Sequence, residues 1–131
     1  MEQNIVFIDS WVWIELYSQS KKWEKCKQIL LSKDKKYIST IVLTEVKYRL
    51  SITIGEEITN RIMGLIISDE SVIAIPITQE IALYAAELRI KYYKKSKSAL
   101  SYADCINLAT AIMTGCKELY TGDLDFEKID E

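Results

Sequence analysis

Asp9, Glu45, Asp104, Asp123 and Asp125 are the residues of this chain best suited to act on a substrate. Asp9 ends the apolar run Ile5-Val6-Phe7-Ile8. Glu45 lies early in an apolar helical pattern, and Asp104 follows Ser101 at Ser-x-x-Asp spacing. Asp123 and Asp125 follow the run Glu118 to Thr121. Two bare carboxylates about 4 Å apart repel by about 4 kcal/mol at an effective dielectric of 20. Four such groups in one pocket need a cation to remain ionised. Oxygen donors without imidazole or thiolate favour Mg2+ or Mn2+ over Zn2+. Each acid also has a plain reading: Asp9 and Asp123 as helix N-caps, Asp104 as the acid of a capping box, Glu45 as a solvated helix residue.

The chain contains no histidine. Ser-His-Asp and Cys-His nucleophile systems are therefore excluded, and so is RNA cleavage by a histidine acid–base pair. Cys26, Cys105 and Cys116 are odd in number and form no C-x-x-C pair, which argues against a disulfide framework or a zinc site. Neither a Walker motif nor G-x-G-x-x-G is present, so no nucleotide cofactor is expected. Chemistry must rest on carboxylates, lysines, hydroxyls or metal.

The elements that must position these acids alternate. Ile5 to Ile8 reads as a buried strand. A helix follows over Trp11 to Tyr17 with Ser10 as N-cap, then a second over Lys22 to Leu31. Lys33 to Lys36 reads as a solubilising loop, and Tyr37 to Ser39 as a second strand. Val42, Leu43, Val46 and Leu50 give an apolar helix face that Gly55 ends. Ile58, Ile62, Leu65 and Ile66 give the face of the next helix. Val72 to Ile75 is a third strand, closed by Pro76. A helix capped near Thr78 runs to about Tyr93, a basic loop spans Lys94 to Ala99, and a helix opened by Ser101 runs to about Gly115. Glu118 to Thr121 is the fourth strand. Leu124 to Ile129 suits a last helical turn. Alternation of this kind predicts an α/β fold with a mostly parallel sheet and helices on both faces, whose site lies beyond the carboxyl ends of the strands.

The bulk properties agree. The 131 residues suit one domain spanning 1–131, and an apolar fraction of 49% supports a core. No apolar run reaches the roughly 18 residues a membrane span needs. The first residues lack a basic leader pattern, so a cytoplasmic protein is expected. The net charge of −2, from 17 basic and 19 acidic residues, neither favours nor excludes a nucleic-acid partner. A local patch does bear on it: Arg89, Lys91, Lys94, Lys95 and Lys97 surround Tyr92 and Tyr93. Such a patch either holds RNA phosphates and stacks bases, or is a solvated helix end.

Taken in order, these residues resemble the PIN-domain family. Val6-Phe7-Ile8-Asp9-Ser10 is similar to its opening strand, and Thr44-Glu45 to its second acid. Tyr102-Ala103-Asp104-Cys105-Ile106-Asn107-Leu108-Ala109-Thr110-Ala111 is similar to its third motif. Leu119-Tyr120-Thr121-Gly122-Asp123-Leu124-Asp125-Phe126 is similar to its fourth. The resemblance implies a three-layer α/β/α sandwich with a central sheet of four to five strands, and metal-dependent hydrolysis of RNA phosphodiesters to 5′-phosphate products. It further implies the toxin of a VapBC-type toxin–antitoxin pair, with an antitoxin partner and a homodimer. Asp9, Glu45, Asp104 and Asp123 would then be the catalytic, metal-binding acids, and Asp125 a supporting one. Ser10 and Thr121 would be hydroxyl partners of those carboxylates.

Asn107 places an amide one turn after Asp104, where it either bonds into the site or faces solvent. Only Glu127 to Glu131 follow the last motif, which leaves room for at most a very short edge strand. Trp11 and Trp13, within one turn of a short helix, do not both reach a core easily. One of them is expected at a partner, and Trp23 in the core or at an interface. Two other functions share the acidic pocket: a metal-dependent phosphatase, and a non-catalytic module that docks RNA or a protein.

Overall fold

The computed structural model describes residues 4–95 and 100–122. Its centre is the apolar run of the first strand, β1 (Ile5–Ile8). Val6, Phe7 and Ile8 are all fully buried, as expected of a strand covered on both faces. After it come α1 (Ser10–Tyr17), α2 (Trp23–Leu31), β2 (Lys35–Ser39), α3 (Thr40–Ile54), α4 (Glu56–Ser68), β3 (Val72–Ile75), α5 (Gln79–Lys95), α6 (Tyr102–Met113) and β4 (Glu118–Tyr120). The strands run in the order β3-β2-β1-β4, and every pairing is parallel. Phe7 is opposite Tyr37 on one side and Leu119 on the other.

Two hydrophobic clusters form. One joins β1 and β2 to α1, α2, α3 and α4, with Val12, Trp13, Cys26, Val42, Val46, Leu50, Ile62 and Ile66 at its centre. The other joins α5 to α6 through Ile81, Ala85, Leu88, Leu100, Leu108 and Ala109, with Ile75 and Leu119 of the sheet packed against it. These are the layers of an α/β/α sandwich. The strand order also fixes where a ligand can enter. The chain steps outward from β1 through β2 to β3, then returns to the other side of β1 as β4. Parallel sheets bind ligands at such a reversal, beyond the strand ends, and Asp9 is the first residue past β1.

Several local expectations change. β2 begins at Lys35 because Lys35 N donates to Asn4 O and Lys36 N to Ser71 O, so the pairing captures residues that read as loop. Lys36 does not solubilise a loop: it is 1% exposed, and its Nζ donates to Ser32 O and Asp34 O just past α2. On α4 the buried face is Thr59, Ile62, Met63 and Ile66, while Ile58 and Leu65 point to solvent. The buried stripe is set by packing on α3, which the apolar pattern alone does not select. Helix α5 runs on to Lys95, past the expected end at Tyr93. Helix α1 begins at Ser10 itself, so the cap position falls to Asp9. The expected helical turn over Leu124 to Ile129 lies outside the described residues. Among the described residues, no helix is long and apolar enough to cross a membrane.

Candidate active site

Asp9 is delivered to the carboxyl edge of the sheet by β1 and anchored there by its backbone N–H, which donates to Tyr120 O at 3.0 Å. It occupies the N-cap of α1, yet its side chain makes no cap bond. The carboxylate is held elsewhere. Asn107 Nδ2 donates to Oδ1 at 3.1 Å and Thr121 Oγ1 donates to Oδ2 at 2.8 Å. Asn107 is fully buried, and its own Oδ1 accepts from the buried Ser39 Oγ at 2.6 Å. A continuous run of hydrogen bonds thus ties the ends of β2, β1 and β4 to the second turn of α6. Burying an amide and a hydroxyl is costly unless their bonds are satisfied, and here the satisfied bonds fix the plane of one carboxylate.

Ser10 Oγ donates to Glu45 Oε1 at 3.3 Å, linking the first turn of α1 to the second turn of α3. Burial raises the Glu45 carboxyl above the ordinary carboxylate range, and the nearby Asp9 charge raises it further. The Ser10 bond opposes this, Asp104 adds to it, and Arg49 opposes it weakly. Asp9 and Asp104 therefore both lie within electrostatic reach of Glu45, although the three come from distant parts of the chain.

Asp104 has two roles at once. Its Oδ2 accepts from Ser101 N at 3.0 Å while its own N–H donates to Ser101 Oγ at 3.1 Å, so the capping box of α6 is real. The same carboxylate is one of the charges that lift Glu45.

Asp123 and Asp125 lie outside the described residues. Among the described residues, no three acids form a metal-ligating cluster by themselves. The donor chemistry of Asp9, Glu45 and Asp104 nevertheless suits a hard divalent ion: all oxygen, with like charges raising one carboxyl and Arg49 the weakest of the influences on it. Gly122, which leads to Asp123, lies against the Trp11 indole so closely that a Cβ there would collide with it.

Two features carry no motif of their own in the sequence: the buried Ser39 behind Asn107 and the contact between Trp11 and Gly122. The only sequence signals were a serine ending β2 and a glycine before an acid. Trp13 is buried in the core, whereas Trp11 is half-buried over Gly122. Trp23 is half-buried and lines a cavity of about 410 Å3 with Trp13, Tyr17, Leu30 and Ile66. Asp9, Glu45 and Asp104 do not line that cavity.

The basic patch is only partly described. Lys91 stands 5.1 Å from the Tyr92 ring centroid, but Tyr92 is buried and offers no stacking face. The side chains of Lys94, Lys95 and Lys97 lie outside the described residues.

The family model described as the PIN domain matches residues 6–131. Among solved structures, the chain is similar to the VapC20 toxin of Mycobacterium tuberculosis, described as cleaving the sarcin–ricin loop. The TM-score is 0.80 at 21% identity, covering 93% of this chain and 92% of that one. It is similar to a toxin–antitoxin complex from Klebsiella pneumoniae, with a TM-score of 0.69 at 25% identity over 92% and 89% of the two chains. It is also similar to VapBC2 of Rickettsia felis bound to a DNA fragment from its promoter, with a TM-score of 0.72 at 20% identity over 95% and 92%. No curated protein matches the chain in sequence.

Proposed function

The chain belongs to the PIN-domain family, and from that premise we propose that it is a metal-dependent endoribonuclease, the toxin of a toxin–antitoxin pair. The observation that carries this reading is the oriented Asp9 carboxylate. A buried amide and a hydroxyl hold both its oxygens, and it shares a pocket with Glu45 and Asp104. A structural N-cap would spend that carboxylate on the helix it caps. This one is turned away from its helix.

Asp9, Glu45, Asp104 and Asp123 would hold Mg2+ or Mn2+, with Asp125 in support. When bound, the ion supplies positive charge that lowers the pKa of water and offsets charge developing on the phosphate. The protein's share is positional. Asn107 and Thr121 hold Asp9, Ser10 holds Glu45, and the α6 cap holds Asp104. With no histidine in the chain, the proton of the attacking water would pass to a carboxylate oxygen or to hydroxide. The 3′ oxygen leaves, and a 5′-phosphate product results. The neighbours that are toxins and toxin–antitoxin complexes support an antitoxin partner for this chain. A single domain over 1–131, a homodimer and a cytoplasmic setting belong to the same proposal.

The test is cleavage of a mixed RNA pool by wild type and Asp104→Asn, in Mn2+, in Mg2+ and in EDTA. Wild type should cut only with metal. The variant should lose about a hundredfold or more, since even groups behind the ligands of a metal site typically cost about 10- to 100-fold. Hydrolysis of small phosphomonoesters with RNA left intact would indicate a phosphatase. Binding of RNA without cleavage in either metal would indicate a docking module.

A further inference from the structure

Beside the acid pocket, on the other flank of α6, one cation lies between two aromatic rings. The Arg89 guanidinium stands 4.5 Å from the Tyr93 ring centroid and 4.2 Å from that of Tyr102. Arg89 Nε donates to Leu100 O at 3.4 Å, which fixes the guanidinium where α5 hands over to α6. Among the described residues no acid pairs with Arg89; the ion pair they contain is Arg61–Glu57. Tyr93 is 46% exposed and Tyr102 70%. With Ala86 and Ile90 these three residues line a hollow of about 250 Å3.

We infer that this hollow is a stacking platform for one base of a single-stranded RNA, with Arg89 drawing in its phosphate backbone. The inference rests on the nuclease reading and names how that site grips its substrate. Aromatic rings and arginine planes are the sequence-tolerant surfaces on which unpaired bases stack. The guanidinium is permanently charged, and Arg89 is half-buried against the two rings.

Position supports the same occupant. Tyr102 and Asp104 are the first and third residues of α6, and Asp104 faces the acid pocket. At 3.6 residues per turn, side chains two apart leave a helix on nearly opposite flanks, about 10 Å across. The base on the platform is therefore a neighbour of the nucleotide being cut. A second copy of the chain docking here would bury the Arg89 charge and would have to bring a carboxylate to meet it; a polyanion brings its charge with it.

The experiment measures binding of a short single-stranded RNA carrying 2-aminopurine, by anisotropy and by quenching of the stacked base. A Glu45→Gln background with Mg2+ is used so that RNA is held and not cut. Tyr102→Ala should raise Kd about 5- to 150-fold, the range for losing one base stack, and abolish the quenching. Tyr102→Phe should stay within about twofold of the parent. Arg89→Gln should weaken binding and reduce the salt slope by about one phosphate contact. Melting curves check that each variant is folded, and Tyr102→Phe separates ring loss from any fold defect.

Unchanged Kd and quenching in Tyr102→Ala overturn the platform. So does a shift from dimer to monomer in sedimentation with RNA affinity intact, which assigns the face to a second copy. If wild type cuts RNA while these variants bind normally, the platform fails and the nuclease reading stands. If the parent binds and stacks RNA but wild type cuts none, the nuclease reading fails and the platform stands. A parent that binds no RNA overturns the platform, and if wild type also cuts none, both readings fall.

Discussion

Asn107 connects the interior to the chemistry. Its amide accepts from Ser39 and donates to Asp9, with no exposure to solvent. Asn107→Ala should remove both bonds and leave the Ser39 hydroxyl unpaired in the core. The expected loss is about 1–3 kcal/mol of stability, with activity lower by about 10- to 100-fold as Asp9 loses its orientation. A denaturant titration and a cleavage assay check the two together. Normal activity in the folded variant would mean that Thr121 alone positions Asp9.

Glu45 gives the pH prediction. Its carboxyl is raised in the folded protein, chiefly by burial and then by Asp9. Below the ordinary glutamate pKa it is protonated in both folded and unfolded states and costs nothing. As pH rises through the raised folded value, the charge is forced into the pocket and stability is lost. Metal-free Glu45→Gln should therefore be more stable than wild type near neutral pH, and the advantage should vanish near pH 4. Melts in EDTA across that range decide it; an advantage independent of pH would remove the electrostatic explanation.

At the scale of elements, α6 is the organising piece. Its buried face carries Cys105, Asn107, Leu108, Ala109, Thr110 and Ala111, and the small residues let it approach the sheet closely. Its N-terminus presents Asp104, and the capping box fixes where that terminus lies. Ser101→Ala removes the hydroxyl that accepts from Asp104 N but keeps the backbone N–H that holds Asp104 Oδ2. The expected cost is about 1 kcal/mol of stability, with cleavage within a few-fold of wild type. Asp104→Asn should show the reverse pattern: little change in stability and near-complete loss of cleavage. If Ser101→Ala loses as much activity as Asp104→Asn, the acid's role is no more than that of a cap.

For the whole molecule, the parallel sheet gathers acids from distant parts of the chain into one pocket of like charge. Such a pocket is destabilising without a cation, so metal binding should stabilise the folded state alone. A ligand at a hundred times its Kd contributes about 2.7 kcal/mol, which is a rise of several degrees in melting temperature for a chain of this size. Thermal melts with Mn2+ and with EDTA measure it. Identical curves, with no heat of binding in calorimetry, would sink the metal site.

Much of this was legible from one sequence. The run Ile5 to Ile8 announces a strand buried on both faces, and an acid just past such a strand stands where parallel sheets bind ligands, beyond the carboxyl ends of the strands. Ser101-x-x-Asp104 was legible as a cap because capping is local: donor and acceptor are three residues apart. What stayed hidden depends on partners far away in sequence. Whether Asp9 caps α1 or faces the pocket is decided by Asn107, 98 residues later, and Thr121, 112 residues later. Which stripe of α4 is buried depends on where α3 lies, and Lys36 reads as loop until the sheet pairs around it. The pattern of apolar and acidic residues determined the elements and the acids they carry. Only tertiary packing decided which hydrogen bonds each acid makes, because those bonds close loops of chain that no local spacing records.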